Sequence, residues 1–192
     1  MDILELMKNR RSIRKYTAVQ LTHEEMEKII TAGLYAPSAG GGQRSMLVGI
    51  RREHLTRKIG RLNFLPFDRS KLLGGHVSEE QPSVIDDPTI RNGFYGAPAA
   101  VAVFGPRDFP FSIADAFCAA ENMVLMATEM GIASCIISRA EETFATEEGE
   151  TLLREWKVPG NYICRVFVIF GHIDGACPHA KPRKTGRCLI ID

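Results

Sequence analysis

Residues 162–173 read Tyr-Ile-Cys-Arg-Val-Phe-Val-Ile-Phe-Gly-His-Ile, and this stretch decides the class of fold. It is rich in β-branched and aromatic residues, which favour strands. A strand with one face in water alternates apolar and polar residues, whereas a strand covered on both faces is apolar almost throughout. We therefore predict that residues 162–173 form a strand in the interior of a sheet rather than at its edge.

Other segments supply further strands. Residues 97–104 (Ala-Pro-Ala-Ala-Val-Ala-Val-Phe) and 46–50 (Met-Leu-Val-Gly-Ile) are predicted as buried strands, and residues 131–138 lead from a helix into a short extended piece. The final residues 188–192, Cys-Leu-Ile-Ile-Asp, are strand-like and apolar but have no partner strand nearby in the sequence. We predict that this terminal segment reaches another subunit.

Helices are predicted between the strands. Thr22 and Glu25 form a Thr-x-x-Glu capping box, in which two backbone N–H groups at the start of a helix are satisfied reciprocally. Met26, Ile29, Ile30 and Leu34 then form an apolar stripe at helical spacing, and the helix ends before Pro37. Further helices are predicted at the N-terminus after Asp2, at 52–62, at 112–130 with Ser112 and Asp115 at its start and Gly131 at its end, and at 141–156.

Composition limits the class of protein. The chain of 192 residues, with 45% hydrophobic and 24% charged residues, predicts a single domain over residues 1–192. The predicted helices and strands make this domain α+β. The formal net charge is +1, so binding of a polyanion would need a local basic patch. No signal peptide or membrane-spanning run is visible, and the five cysteines are scattered without a Cys-x-x-Cys pair. We therefore expect a cytoplasmic protein with no disulfide framework and no metal site.

Residues 10–16, Arg-Arg-Ser-Ile-Arg-Lys-Tyr, form a local basic patch. Guanidinium groups are planar, permanently charged and able to donate two parallel hydrogen bonds to a phosphate, and the Ser12 hydroxyl adds a compact donor. This pattern indicates a site for a phosphate monoester. A nucleic-acid surface and a simple solvated basic turn are the alternatives that the residues alone leave open.

Two loops stand out. Residues 37–45, Pro-Ser-Ala-Gly-Gly-Gly-Gln-Arg-Ser, contain three consecutive glycines, which permit backbone conformations closed to other residues. They form either a backbone surface laid against a flat ligand or a flexible connector. Residues 63–89 have little periodicity, and a loop this long is usually a functional lid or substrate-facing arm, or poorly ordered.

Taken together, these segments resemble the nitroreductase family of FMN-dependent oxidoreductases. The resemblance is carried by Arg-Arg-Ser-Ile-Arg at 10–14, Ala-Pro-Ser at 36–38 with Gln43, Ala-Pro at 97–98, Gly-Ile-Ala-Ser-Cys at 131–135 and Lys-Pro-Arg at 181–183. It implies a mixed, mainly antiparallel sheet flanked by helices, in an intertwined homodimer with FMN at the subunit interface.

The resemblance also implies roles for particular residues. Arg10, Ser12 and Arg183 would bind the FMN phosphate, with Lys181 a weaker candidate. Arg11 and Arg14 would lie along the ribityl chain and the pyrimidine edge. Pro37, Ser38 and Ala39, in the segment that includes Gln43, would contact the isoalloxazine ring from the other subunit. The backbone of Ile136, Ile137 and Ser138 would approach flavin N5.

The sequence departs from the family pattern in places. Many relatives have Asn where Gly41 stands, and Pro followed by an aromatic residue where Arg44 and Ser45 stand. An Asn-x-x-Lys pair that some relatives use near the polar edge of the flavin has no clear counterpart, and Asn92 alone is a poor substitute.

The activity implied by the resemblance is hydride transfer from NADH or NADPH through the flavin to a nitroaromatic, quinone or related acceptor, by a ping-pong mechanism. The cofactor carries this chemistry, so no catalytic side chain is expected. One alternative is a flavin-fragmenting or dehalogenating relative on the same fold. The other is a nucleic-acid or phosphoprotein binding module, which the near-neutral net charge disfavours.

Overall fold

The computed structural model describes residues 2–72 and 75–191. Its helices and strands, in chain order, are α1 (Ile3–Asn9), α2 (His23–Leu34), β1 (Met46–Ile50), α3 (Glu53–Phe64), β2 (Ala99–Pro106), α4 (Ser112–Glu129), β3 (Ala133–Ile137), α5 (Ala140–Thr143), α6 (Glu147–Glu155) and β4 (Tyr162–Gly171). Short 3-10 turns lie at Ala39–Gly41 and Arg69–Leu72.

The four strands form one sheet in the order β1-β2-β4-β3, and each neighbouring pair is antiparallel. β4 pairs with β2 on one side and with β3 on the other. The predicted interior strand is therefore confirmed over residues 162–171, two residues shorter than predicted. A single parallel bridge joins Ser12 to Ser134 at the free side of β3. The predicted α+β class, with a mainly antiparallel sheet flanked by helices, is confirmed.

The sheet is covered on both faces, and β2 and β4 serve both. Val101 and Val168 pack with α2 and α4 residues such as Ile29 and Met123. Phe104 and Phe167, from positions of opposite parity, pack on the other face. The residues around them include Ile59 of α3, Phe144 after α5 and Leu152 of α6. Because successive side chains of a strand point to opposite faces, coverage of both faces explains why these strands are continuously apolar.

The helix ends agree in part with those predicted from the sequence. The Thr22–Glu25 capping box is present, and Gly131 ends α4 with φ +71°. At the start of α4, however, Ser112 is the first helical residue rather than the cap. The Asp2 side chain likewise makes no capping hydrogen bond to α1. These two polar residues therefore marked the helix starts without capping them.

Two predicted elements differ from the structure. The helical region 141–156 is divided into α5 and α6, because the Thr146 side chain accepts a hydrogen bond from the Gly149 N–H and starts a new helix. The terminal segment is not a strand over residues 188–191, where Leu189, Ile190 and Ile191 are 82%, 78% and 85% exposed. Asp192 lies outside the described residues. Of the described helices, none is both long and apolar enough to cross a membrane.

Candidate functional site

The basic stretch runs along the free side of β3. The Ile13 N–H donates to the Ser134 carbonyl at 2.9 Å, and Tyr16 forms an antiparallel bridge with Ile173 after β4. Ile13 is 3% exposed, so it fixes the stretch to the core while its polar neighbours remain partly accessible. The predicted phosphate-binding residues therefore lie on a segment that the sheet positions.

A cavity of about 170 Å³ lies between this stretch, the end of β3 and the loop residues 77–95. We call it the basic cavity. Its lining includes Arg14 together with Ile136, Ile137 and Ser138, which the sequence had assigned to different parts of one site. The rest of the lining consists of Val77, Ser83, Val84, Ile85, Gly93, Tyr95, Cys135 and Arg139. The structure thus brings one predicted group of site residues together.

Arg14 is held in place by the loop that covers it. Its backbone N–H donates to Gln81 Oε1 at 2.7 Å, and its guanidinium donates to the Gln81 carbonyl at 3.1 Å. The guanidinium also lies 5.8 Å from the centre of the Tyr95 ring. Tyr95 has φ +54°, a left-handed conformation that is unusual for an aromatic residue and that clusters at functional sites.

Asp86 organises this loop. Its carboxylate accepts hydrogen bonds from the backbone N–H groups of Val77 (2.7 Å), Ser78 (3.3 Å) and Ser83 (2.8 Å), and from the Ser83 hydroxyl (3.0 Å). Burial alone would raise the pKa of Asp86, but these donors outweigh it and lower the pKa to about 2. Residues 63–89 are predicted from the sequence to be a functional arm or poorly ordered. In the part of this loop that the structure describes, these bonds join residues 77–86, and Gln81 bonds to Arg14.

The other predicted cations occupy different places. The Arg11 guanidinium donates to the carbonyls of Pro178 (3.1 Å) and Lys8 (2.6 Å), so it fastens the C-terminal tail instead of lining the cavity. Lys181 Nζ donates to the Val77 carbonyl. Arg183 lies on the exposed tail, outside the cavity lining. Arg10 is half-buried, and no described carboxylate forms an ion pair with it.

The second predicted group lies elsewhere. Pro37, Ser38 and Gln43 line a separate cavity of about 180 Å³, with Asp115 of α4 in its wall. We call it the Pro37 cavity; it shares no lining residue with the basic cavity. Ala39 lies beside it, and its N–H donates to Asp115 Oδ1 at 2.9 Å. Within one chain, the two groups of predicted residues are therefore apart.

Local hydrogen bonds shape the Pro37 segment. Ser38 Oγ accepts from the Gln43 N–H at 3.1 Å, and Gly40 and Gly41 have φ +59° and +63°. Such positive φ values explain why glycines stand here. Asp115 is 7% exposed and its Oδ2 atom has no hydrogen-bond partner among the described residues.

Cys135 lies in the basic cavity but is suited to packing. It is 4% exposed, and burial raises the pKa of its thiol, although Arg14 and the Ser12 hydroxyl oppose this. Because the thiolate is the nucleophilic form, we expect Cys135 to be an unreactive part of the wall. No group of three or more potential metal ligands is found among residues 2–72 and 75–191.

Sequence reasoning missed Asn63, a fully buried amide at the end of α3. Its Nδ2 donates to the Ser138 carbonyl at 2.8 Å and to Thr143 Oγ1 at 3.0 Å. These bonds fix the turn that follows β3, where Arg139 has φ +59°. No local pattern marks Asn63, because its partners lie 75 and 80 residues away in the sequence.

Comparison with known proteins identifies the family. The model of the nitroreductase family matches residues 7–172, and the chain belongs to this family. A nitroreductase with bound FMN from Bacteroides fragilis is 27% identical, with a TM-score of 0.81 and 100% of both chains covered. A nitroreductase with bound FMN from Desulfitobacterium hafniense is 20% identical, covers 99% of this chain and 98% of its own, and has a TM-score of 0.79, which supports the fold alone.

A sequence relative covers a shorter stretch. A protein of Archaeoglobus fulgidus, provisionally named NADH dehydrogenase/NAD(P)H nitroreductase, is 36% identical over 58 residues. That stretch is 30% of this chain and 33% of the relative. The match therefore spans only about a third of the relative's length.

Proposed function

We propose that this protein is an FMN-dependent NAD(P)H oxidoreductase. The bound FMN would supply the redox chemistry, taking hydride from NADH or NADPH and passing it to a nitroaromatic, quinone or related acceptor in a ping-pong cycle. The observation that carries the proposal is the convergence of Arg14 and Ile136–Ser138 on one cavity beside Ser12. The FMN-bound relative from Bacteroides fragilis supports the choice of cofactor.

The side chains present suit a phosphate-bearing flavin. A phosphate carries up to two negative charges, and its loss of hydration needs charged donors in return. Arg10, without an ion-pair partner among the described carboxylates, and the Ser12 hydroxyl are such donors. Arg183 on the tail would complete the phosphate site, because the Lys181 ammonium already donates to a loop carbonyl. Arg14 would face the pyrimidine edge, and Arg11 would act mainly through the tail.

We propose further that the site is shared between two chains of a homodimer. Each cavity is below the roughly 300–1,000 Å³ that encloses a drug-sized ligand, and each holds one of the two predicted groups. Apolar side chains that a partner chain would cover are exposed on α1, beside and on α4, and in the tail: Ile3, Leu4, Met7, Phe111, Ile113, Phe117, Leu189, Ile190 and Ile191. Pro37, Ser38, Ala39 and Gln43 would then complete the partner's basic cavity.

We propose further that the protein works in the cytoplasm. All five cysteines are free, with Cys118, Cys177 and Cys188 exposed. Exposed free thiols suit a reducing compartment such as the cytoplasm.

The first experiment is a visible absorption spectrum of the purified protein, followed by anaerobic addition of NADH or NADPH. We expect flavin bands near about 370 and 450 nm that bleach on addition. A colourless protein that also fails to take up added FMN would exclude the proposed function.

Mixed dimers test the sharing of the site. One variant carries Arg10→Ala with Arg183→Ala, and the other carries Ser38→Tyr to block the Pro37 segment. Each variant alone should hold little FMN. After equal amounts are denatured and refolded together, random pairing makes about half of the dimers mixed, and one of the two composite sites in each mixed dimer is intact. About a quarter of the wild-type FMN content should therefore return. No recovery in refolded mixtures that sediment as dimers would show that each chain builds its own site.

A further inference from the structure

Arg139 is a half-buried cation in the wall of the basic cavity. It follows Ser138 directly and lines the cavity together with Tyr95. Its backbone has φ +59°, a left-handed conformation that non-glycine residues adopt only when their surroundings impose it. The bonds from Asn63 to the carbonyls of Ser138 (2.8 Å) and Arg139 (3.4 Å) impose it here. The fold thus maintains an unfavourable conformation that holds an arginine at this point.

The charge of Arg139 is not balanced by its neighbours. Its guanidinium donates to the carbonyl and to Oδ1 of Asn63, both at 3.3 Å, and lies 4.9 Å from the centre of the Phe67 ring. Among the described residues no carboxylate lies within ion-pair distance of it. Burial lowers the pKa of Arg139, against an opposing effect of Tyr95 and Glu142. With five N–H donors in a guanidinium, several remain for a ligand.

The whole cavity shares this imbalance. Its described lining contains two cations, Arg14 and Arg139, and no acidic residue. Arg14 already donates to the Gln81 carbonyl and is assigned above to the cofactor. The other walls of the basic cavity are mainly apolar and include Val84, Ile85 and Ile136. Because the flavin ring would itself occupy part of this volume of about 170 Å³, the room left beside Arg139 suits one small ring at a time.

We propose that Arg139 binds the carboxylate of a planar, single-ring acceptor, so that the enzyme prefers anionic aromatic substrates to neutral ones of the same shape. The fork of N–H donors on a guanidinium matches the two oxygens of a carboxylate, and the apolar walls receive the ring. This inference rests on the proposed function, because it takes the basic cavity as the place where the acceptor meets the cofactor.

Binding of a pair of non-reducible ligands tests the inference directly. Benzoate and benzamide have nearly the same shape and differ in charge. Calorimetric titration of the FMN-loaded protein should give a dissociation constant for benzoate at least about tenfold lower than that for benzamide, as expected of a charge-assisted hydrogen bond. Arg139→Gln should remove this difference, and Arg139→Lys, which keeps the charge but loses the fork, should retain part of it.

Arg91→Gln is the matched control. Arg91 is an exposed arginine 5.9 Å from the Phe64 ring and does not line the cavity, so the benzoate preference should survive its replacement. As a second readout, Arg139→Gln should lower kcat/KM for 4-nitrobenzoate by about tenfold relative to 4-nitrobenzamide and leave the KM for NADH unchanged.

Several outcomes would overturn the inference. One is equal affinity of the wild type for benzoate and benzamide. Another is an equal loss of affinity for both ligands in Arg139→Gln. The third is a kinetic effect of Arg139→Gln on NADH alone. The visible spectrum separates this failure from that of the proposed function. A yellow protein that NAD(P)H bleaches but that shows no preference for the carboxylate fails the inference alone, whereas a protein without flavin fails both.

Discussion

The basic cavity and the Pro37 cavity have similar volumes, about 170 and 180 Å³, but opposite charge. The basic cavity has arginines and no acidic residue in its described lining, while the Pro37 cavity has Asp115 and no cation. The first is lined by several segments that are distant in the sequence, and the second by residues 33–47 together with Asp115 and Ala119 of α4. We propose that neither is a complete site, and that a flavin requires both cavities, one from each chain of a dimer.

The largest expected effect concerns Arg10 and Arg183, the proposed phosphate-binding residues outside the lining of the basic cavity. Arg10→Ala combined with Arg183→Ala removes two charged donors, each worth about 1.5–3 kcal/mol. We expect FMN affinity to fall by roughly 100- to 10,000-fold in a fluorescence titration, with the fold intact. The control is Arg57→Ala with Arg154→Ala, which removes the same charge from exposed helix positions. Unchanged FMN affinity in the first variant would refute the phosphate assignment.

The next effect concerns the stability of the turn after β3, which borders the basic cavity. Asn63→Ala removes the donor to Ser138 and Thr143 and leaves a void at a fully buried position. We expect the free energy of unfolding, measured in urea, to fall by about 2–4 kcal/mol. Ser38→Ala removes the acceptor of the Gln43 N–H beside the Pro37 cavity. It should lower the free energy of unfolding by about 1 kcal/mol or less. Equal losses in the two variants would contradict the contrast between the cavities.

A pH dependence should distinguish the loop over the basic cavity. The pKa of Asp86 lies near 2, below its ordinary 3.8, so its carboxylate stabilises the fold above about pH 4. This contribution is lost as the pH falls through the folded-state value of about 2, and it amounts to about 2 kcal/mol. The stability difference between the wild type and Asp86→Asn should therefore shrink as the pH is lowered from 5 towards 2. A difference that stays constant over this range would be inconsistent with the assigned role.

The smallest effect concerns thiol chemistry. Cys135 in the basic cavity and Cys164 in the core are buried, while Cys118, Cys177 and Cys188 are exposed in the chain. A disulfide reagent should modify Cys135 and Cys164 only after denaturation, which peptide mass spectrometry would show. Rapid modification of Cys135 in the native protein would mean that the wall of the basic cavity opens.

The parts of the fold that local patterns specify could be predicted. The continuous apolar run identified β4 as an interior strand, the Thr22–Glu25 pair marked the start of α2, and Gly131 marked the end of α4. In these cases a few neighbouring residues determine the structure. The completion of the site in trans by Pro37–Gln43, which the family resemblance implies, stays a prediction.

The parts that depend on distant contacts could not be predicted. Asn63 is one of several polar residues of the amphipathic helix α3, and only its bonds to the turn after β3 reveal its role. Asp86 lies in a segment without periodicity, where several N–H groups converge on one carboxylate. The left-handed backbones of Tyr95 and Arg139 leave no mark in the sequence, because tertiary contacts impose them.

The order that Asp86 gives to the loop has a calorimetric consequence. Fixing the backbone of a residue costs about 1–2 kcal/mol in conformational entropy, and coupled folding of a disordered segment also gives binding a large negative heat-capacity change. Here Asp86 has already joined Val77 to Ser83 in the folded chain. FMN binding should consequently show a small heat-capacity change, of the size expected for contact with a preformed surface.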